Sequence, residues 1–329
     1  GHACALIYTS GTTGRPKAVM ISHDNLVFES STVLPISGVG TTKTEERIIS
    51  YLPLSHVAGM MVDIISPIVI TGSLKGWMSS NFARSYDLKV GTLGQRLNTI
   101  EPTFFLGVPR VWEKIAEKLQ AIGATTTGLK KKLSTTAKKK GLAAVSDLQL
   151  GGSGKTPFMY GVYSVLLKKI KERLGLSKCK FAFAGAAPMT REILSYFGSL
   201  GIIINEVYGM SECTGAASWS INEAFQWGTV GFELPGVEVK CFKVEGGKKT
   251  ECPRTNNILH PDEKEQGEIC FRGRNIMIGY MSNPKLGSDH VDEIDGKNAD
   301  AIDADGWLHS GDKGAISKKG MIRITGRYK

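Results

Sequence analysis

Apolar residues in this chain fall into short runs separated by polar, glycine-bearing turns, the pattern of strands alternating with amphipathic helices. Two such runs, Ala3 to Tyr8 and Ala18 to Ile21, flank Thr9-Ser-Gly-Thr-Thr-Gly-Arg-Pro-Lys17 and predict a strand–loop–strand unit. Ser22 is placed to cap a helix through Asn25-Leu-Val-Phe28, with Asp24 in the first turn where the helix dipole favours an acid. Arg47 to Leu54 predicts a buried strand running into Ser55-His56 and a helix with apolar residues at helical spacing. Thr103 to Gly107 predicts another strand, and Pro109 opens a helix whose Val111, Trp112, Ile115 and Leu119 share a face. Lys180 to Ala184 and Ile202 to Val207 predict strands either side of a helix capped by Thr190. From Gly228 onward the runs shorten and glycines multiply, as in Gly236 to Val244, Gly267 to Gly273 and Met277 to Tyr280. That predicts an antiparallel unit. The acidic, polar stretch Asp289 to Asp305 reads as a surface loop.

The predicted fold is α/β: largely parallel sheets flanked by helices over 1–227, then a small antiparallel β-barrel-like subdomain over 228–329. Ligands of parallel sheets sit at the carboxyl ends of the strands, and each distinctive loop of this chain falls at such an end.

A length of 329 residues is enough for two or three subdomains, and 41% hydrophobic content is ordinary for a globular protein. No apolar run approaches the ~20 residues of a membrane span. The longest candidate, Met60 to Ile70, is interrupted by Asp63 and Pro67, and the chain opens on a strand pattern rather than a secretory leader. Six scattered cysteines without a CxxC pair indicate neither a zinc site nor a disulfide framework, and fit a reducing, cytoplasmic compartment. Charge changes the picture more. Of the net +10, all resides between Lys118 and Lys171, where eleven lysines face one acid, Asp147; elsewhere 30 basic and 30 acidic residues cancel. This basic flap reads either as a solvated, partly disordered loop or as a contact for an anionic membrane, such as the cytosolic face of the endoplasmic reticulum. Nucleic acid is disfavoured, because no aromatic residue for stacking lies between Lys118 and Pro157.

The loop from Thr9 to Lys17 carries the candidate chemistry. Glycines let backbone N–H groups approach an anion, hydroxyls add donors without bulk, and a lysine adds mobile charge, so the composition suits polyphosphate. A strand–loop–strand turn is the plainer reading. Neither this loop nor Gly151-Gly-Ser-Gly-Lys-Thr156 has the spacing and preceding strand of a P-loop. Asp303-Ala-Asp305 resembles part of a calcium loop, but Ala301 stands at the first ligand position and Asp312 at the twelfth, where such loops carry glutamate. His56 stands at a strand-to-helix junction, where a lone histidine serves structure or catalysis.

YTSGTTGRPK, YGMSE, GEICFRG with MIGY, GWLHSGD and ITGR occur here in the order seen in adenylate-forming enzymes, and span nearly the whole chain. Within that superfamily, SHDNL, YLPLSHVAG and VPRVWEK resemble long-chain fatty acyl-CoA synthetases, the bubblegum type in particular. The resemblance implies ATP, Mg²⁺ and coenzyme A as co-substrates and a fatty acid as substrate. It implies that Thr9, Ser10, Gly11, Thr12, Thr13, Gly14, Arg15, Pro16 and Lys17 cradle phosphates, and that Glu212 holds Mg²⁺. Tyr208, with Gly185, Ala186, Ala187 and Pro188, would form the adenine slot, flanked by the motif residues Gly209, Met210, Ser211 and Cys213. Asp312 and Arg327 would engage the ribose, His56 the acyl carboxylate, and Val57, Met60 and Met61 the start of an acyl tunnel. Lys17, His56 and Glu212 are the residues expected to act in catalysis. Lys329 falls where the family places its hinge; the resemblance implies a C-terminal domain in cis whose lysine stabilises adenylate formation and whose rotation builds the thioester-forming site. A nucleotide- and acyl-binding paralogue without turnover, and an adenylating enzyme for another acid, are the alternative functions.

Overall fold

The structure, a computed structural model, describes residues 2–9, 16–150, 152–153, 160–245 and 248–328. Its first unit is the antiparallel hairpin of β1 (Ala3–Thr9) and β2 (Lys17–Ser22), with Thr9 paired to Lys17 at the base of the intervening loop. Ser22 closes β2 and caps α1 (His23–Ile36): its Oγ accepts the Asn25 N–H at 3.1 Å, and Asn25 Oδ1 accepts the Ser22 N–H at 2.8 Å. This reciprocal pair satisfies two groups the helix start would otherwise leave open.

β3 (Glu45–Ser50) pairs in parallel with β4 (Trp77–Phe82). Between them, the single turn α2 (Val57–Gly59) leads into a π-helical stretch, Met60–Ile65, and then α3 (Ser66–Ser73). The predicted strand to Leu54 stops at Ser50; residues 51–56 form the turn that carries His56. After α4 (Leu93–Ile100), three parallel strands follow: β5 (Phe104–Leu106), β6 (Phe181–Ala184) and β7 (Ile204–Tyr208). Short antiparallel additions, β8 (Ser218–Trp219) and β9 (Phe232–Glu233), complete a mixed five-stranded sheet.

The β5-to-β6 crossover holds α5 (Pro109–Ala124), α6 (Gly128–Leu148) and α7 (Tyr160–Arg173), and α8 (Arg191–Ser199) lies between β6 and β7. The basic flap is therefore helical, not the solvated loop that its lysine content suggests. Ala137, Gly141, Ala144 and Val145 make a narrow buried stripe on α6, and a Cβ at Gly141 would overlap the Ser199 carbonyl at the end of α8. Small residues let this helix dock closely; Lys130, Lys131, Lys132 and Lys139 face outward, while Lys138 lies over the Tyr196 ring of α8. Trp112 of α5 is fully buried, edge-on to both Phe105 and Phe197, and centres the core between sheet and helices.

The last third builds an antiparallel sheet in the order β11 (Lys248–Glu251), β10 (Val237–Glu245), β12 (Gly267–Gly273), β14 (Leu308–Ile316) and β15 (Ile322–Arg327). One strand of this region, β13 (Gly279–Tyr280), pairs instead with β2 of the opening hairpin, Val19 opposite Tyr280. The stretch expected to be a surface loop is α9 (Ser288–Ala301). Asp289 occupies its first turn, Ile294 is buried, and Asn298 grips both backbone groups of Tyr280 at 2.6 and 3.1 Å. Acidic composition concealed a helix held by two anchor residues.

Candidate active site

The carboxyl ends of β5, β6 and β7 open on one place. Leu106 ends β5 and Val108 follows it, Gly185 and Ala186 follow β6, and Val207 and Gly209 flank the last residue of β7; all six line a single cavity of about 440 Å³. The π-helical stretch contributes Met61 and Val62, α1 contributes Glu29, Ser30, Val33 and Leu34, and Thr9 and Glu212 stand in the same wall. Its polar parts come from the loops, its apolar parts from helices and strands. Two wall or rim residues hold left-handed backbone without being glycine, Ala186 (φ 70°) and Thr214 (φ 62°), a strain that tight packing must maintain.

The rim carries two hydrogen-bonded chains of side chains. In the first, Lys17 Nζ donates to the Tyr280 hydroxyl at 3.0 Å while lying 4.1 Å from the ring centroid, and that hydroxyl donates to Glu212 Oε1 at 2.8 Å. Burial and the Glu212 charge push the Tyr280 phenol well above its ordinary pKa, so it stays a donor. The β2–β13 pairing sets this contact, because it places Tyr280 beside the strand that begins at Lys17. In the second chain, Tyr208 donates to Asp312 Oδ2 at 2.7 Å and Arg327 donates to Asp312 Oδ1 at 2.9 Å. Asp312 and Arg327 are cross-strand partners on β14 and β15. Glu268 secures the turn before them, accepting the Gly311 N–H at 2.9 Å and facing His309 Nδ1 at 2.8 Å.

Glu212 lies in a helical turn, Ser211–Cys213, that is stitched in place from both sides. The Met277 N–H donates to the Glu212 carbonyl at 2.9 Å, the Thr214 hydroxyl to the Asn275 carbonyl at 2.6 Å, and Asn275 Nδ2 to the Ala216 carbonyl at 3.1 Å. A Cβ at Gly209 would overlap the Gly215 carbonyl, so the turn closes only on glycine. His56 caps α2, its Nδ1 accepting the Ala58 N–H at 3.1 Å. With Nδ1 accepting, Nε2 is the ring nitrogen left to donate, and His56 is one of the residues lining the cavity.

Residues 1–281 match the model of the AMP-binding enzyme family. The chain belongs to the AMP-binding enzyme family. Its relatives include the long-chain-fatty-acid–CoA ligase ACSBG2 of Gallus gallus, 41% identical over the whole of this chain and 38% of the relative, and that of Homo sapiens, 38% identical over the whole chain and 44% of the relative. The AMP-binding chain thus spans about two fifths of the length of these curated relatives. Among solved structures, ATP-bound MatB from Rhodopseudomonas palustris superposes with a TM-score of 0.62 over 99% of this chain and 48% of its own, at 23% identity. O-succinylbenzoate coenzyme A synthetase (MenE) from Bacillus subtilis, in complex with AMP, gives 0.60 over 99% of this chain and 49% of its own, at 20% identity. These two likenesses concern the fold alone.

Within the AMP-binding fold, the expected site residues divide. Thr9, His56, Val57, Met61, Gly185, Ala186, Gly209, Met210, Ser211 and Glu212 line the cavity, and Lys17, Tyr208, Asp312 and Arg327 form the side-chain chains at its rim. Pro16, Ala187 and Pro188 are exposed, Met60 and Cys213 are buried, and none of these five lines the cavity. Ser10, Gly11, Thr12, Thr13, Gly14, Arg15 and Lys329, and most of 151–156, lie outside the described residues. Tyr280 was not singled out from the sequence as a site residue, although it closes the MIGY segment; only β2–β13 pairing reveals its link to Lys17 and Glu212. Glu29 gave no signal at all, being one acid within an apolar helix pattern.

Proposed function

We propose that this chain supplies the nucleotide- and acyl-binding part of a long-chain fatty acid–CoA ligase. One observation carries the reading: Glu212, on the wall of a cavity it shares with Val33, Leu34, Met61, Phe104, Phe183 and Trp219, is joined through Tyr280 to Lys17, and Tyr208, between the wall residues Val207 and Gly209, holds Asp312 with its partner Arg327. Such a site suits a molecule that is anionic at one end and alkyl along the rest. In the proposed reaction the acid's carboxylate oxygen bonds to the α-phosphorus of ATP and the bond to pyrophosphate breaks; the thiol of coenzyme A then takes the acyl group and AMP leaves. No covalent nucleophile is required. The protein's task is to align two anions and balance charge as pyrophosphate departs.

The residues fit those tasks. Lys17 offers charge to the phosphates, Asp312 can accept both ribose hydroxyls with Arg327 beside it, and Tyr208 stands at the strand end expected to face adenine. Glu212 is a hard oxygen ligand on the cavity wall, with one oxygen already oriented by Tyr280, and fits the Mg²⁺ that travels with ATP. His56 Nε2 can donate to the acyl carboxylate. Among the described residues the Thr9 hydroxyl is buried without a partner, at the base of the loop read as a phosphate cradle, where a phosphate oxygen would supply one. A C-terminal domain following the hinge is proposed to bring its lysine in cis for full turnover.

The test is fatty-acid-dependent exchange of pyrophosphate into ATP. Exchange with palmitate but not with aryl or amino acids is expected, slow for residues 1–329 alone and without thioester product. Exchange driven by another acid would replace the substrate assignment, and nucleotide binding without any exchange would favour the paralogue without turnover.

The basic flap is proposed to meet an anionic membrane. Leu129 (84% exposed) and Leu133 (50%) extend the apolar stripe of α6 beyond the core, among Lys130, Lys131 and Lys132. Among the described residues no helix is long and apolar enough to cross a membrane. Each lysine near anionic headgroups contributes about 1 kcal/mol. Replacing Lys130–132 and Lys138–140 with glutamine should reduce sedimentation with phosphatidylserine vesicles; unchanged sedimentation would refute the contact.

A further inference from the structure

The cavity wall is less uniform than its aromatic and aliphatic residues suggest. Among the described residues, seven buried side-chain polar atoms lack a hydrogen-bond partner, and four of these belong to residues lining this one cavity: Thr9 Oγ1, Glu29 Oε2, Ser30 Oγ and Trp219 Nε1. Thr9 is accounted for by the phosphate loop it begins. The other three sit on α1 and β8, outside the motif loops, and are 3, 2 and 6% exposed. An isolated orphan is tolerable, but three around one chamber each carry a desolvation penalty with nothing in return.

Their chemistry is of one kind. Trp219 Nε1 can only donate, and the Ser30 hydroxyl can donate in any direction its rotor allows. Glu29 Oε1 accepts the Ala216 N–H at 2.8 Å, which leaves Oε2 as the place for a proton. Burial raises the Glu29 carboxyl to about 8, so that proton is present at neutral pH and Oε2 is also a donor. Three such donors on residues of a mainly apolar wall call for an acceptor oxygen. A saturated alkyl chain supplies none.

We propose that the chamber contains a subsite for an oxygen on the acyl chain, formed by Glu29, Ser30 and Trp219, so that hydroxy- or oxo-substituted fatty acids bind in preference to unsubstituted chains of equal length. The proposal rests on the reading of this cavity as the acyl chamber.

Calorimetric titration of the whole chain, below micelle concentrations, compares stearate with a series of monohydroxy and oxo octadecanoates whose oxygen is stepped along the chain. At least one isomer should bind about tenfold more tightly than stearate. Ser30→Ala and Glu29→Leu should each bring that isomer close to stearate, while Glu29→Gln, which retains a donor, keeps the preference. Stearate is titrated into every variant as the reference, and the ratio of the two affinities is what the experiment reads. Should Glu29→Leu fail to fold by circular dichroism, the nearly isosteric Ser30→Ala carries the comparison. Stearate binding as tightly as every substituted isomer, or a preference that survives Ser30→Ala, would overturn the subsite while leaving the acyl chamber intact. Binding of no fatty acid at all would overturn both.

Discussion

The rim and the chamber meet at Glu212, yet they treat polar groups in opposite ways. At the rim, each ionisable side chain has a counterpart: Lys17 and Glu212 share Tyr280, and Asp312 holds Tyr208 and Arg327. In the chamber, Glu29 is half-satisfied, and Ser30 and Trp219 have no partner among the described residues. A paired network is preorganised and holds charge at low cost, which suits phosphate chemistry. Unpaired donors in an apolar wall serve instead to discriminate among occupants, because the occupant alone can satisfy them.

The sharpest way to break this contrast is at Glu212. Glu212→Gln retains an oxygen for Tyr280 but removes the negative charge, so adenylate formation should fall about 10²–10³-fold with the fold intact, measured as pyrophosphate release. A loss below tenfold would mean that the rim charge does not serve the chemistry.

The next effect belongs to the chamber and appears in stability. The Glu29 carboxyl lies at about 8 in the folded protein against an ordinary 4.5. Keeping it neutral therefore contributes stability that is fully present below about pH 4.5 and is lost as pH rises to about 8. Glu206 and Asp63, raised by burial to about 8 and about 6, act in the same direction, so the informative quantity is the difference between wild type and Glu29→Gln. Denaturant unfolding should show the variant gaining on wild type by on the order of 2–4 kcal/mol between pH 5 and pH 8.5. A constant difference across that range would show Glu29 to be charged in the folded state.

Tyr280→Phe tests the link within the rim. It removes the hydroxyl joining Lys17 to Glu212 and should lower adenylation about 10–100-fold, the worth of hydrogen bonds to charged groups, with little change in fatty acid affinity. The smallest expected effect is at His56. His56→Asn keeps a side-chain cap for α2 but loses the Nε2 donor, so adenylation should fall about tenfold while the unfolding midpoint stays put. If both change together, the cap is the residue's whole role.

Lys17, Tyr208, Glu212 and Asp312, which the structure joins in hydrogen-bonded chains, were each legible because they sit in short contiguous motifs of the sequence. What escaped was whatever depended on pairing between distant segments. Tyr280 reaches Lys17 only because β13 leaves the C-terminal sheet to pair with β2. The helix α9 was hidden by acidic composition, and α6 by its lysines, since in both a few small or apolar residues suffice for docking. The chamber was the least legible, being drawn from α1, the π-helical stretch and four strand ends, with Glu29 brought to Ala216 across 187 residues of sequence.

The central claim is that rim and chamber form one site for one adenylated chain. It is tested most directly by the structure and affinity of the complex with an alkyl-sulfamoyl adenosine, a stable mimic of a fatty acyl adenylate. The account predicts binding at least about 100-fold tighter than AMP, with ribose hydroxyls on Asp312 and the alkyl chain running past Met61 and Val33. Affinity no greater than that of AMP, with the alkyl chain left in solvent, would contradict it.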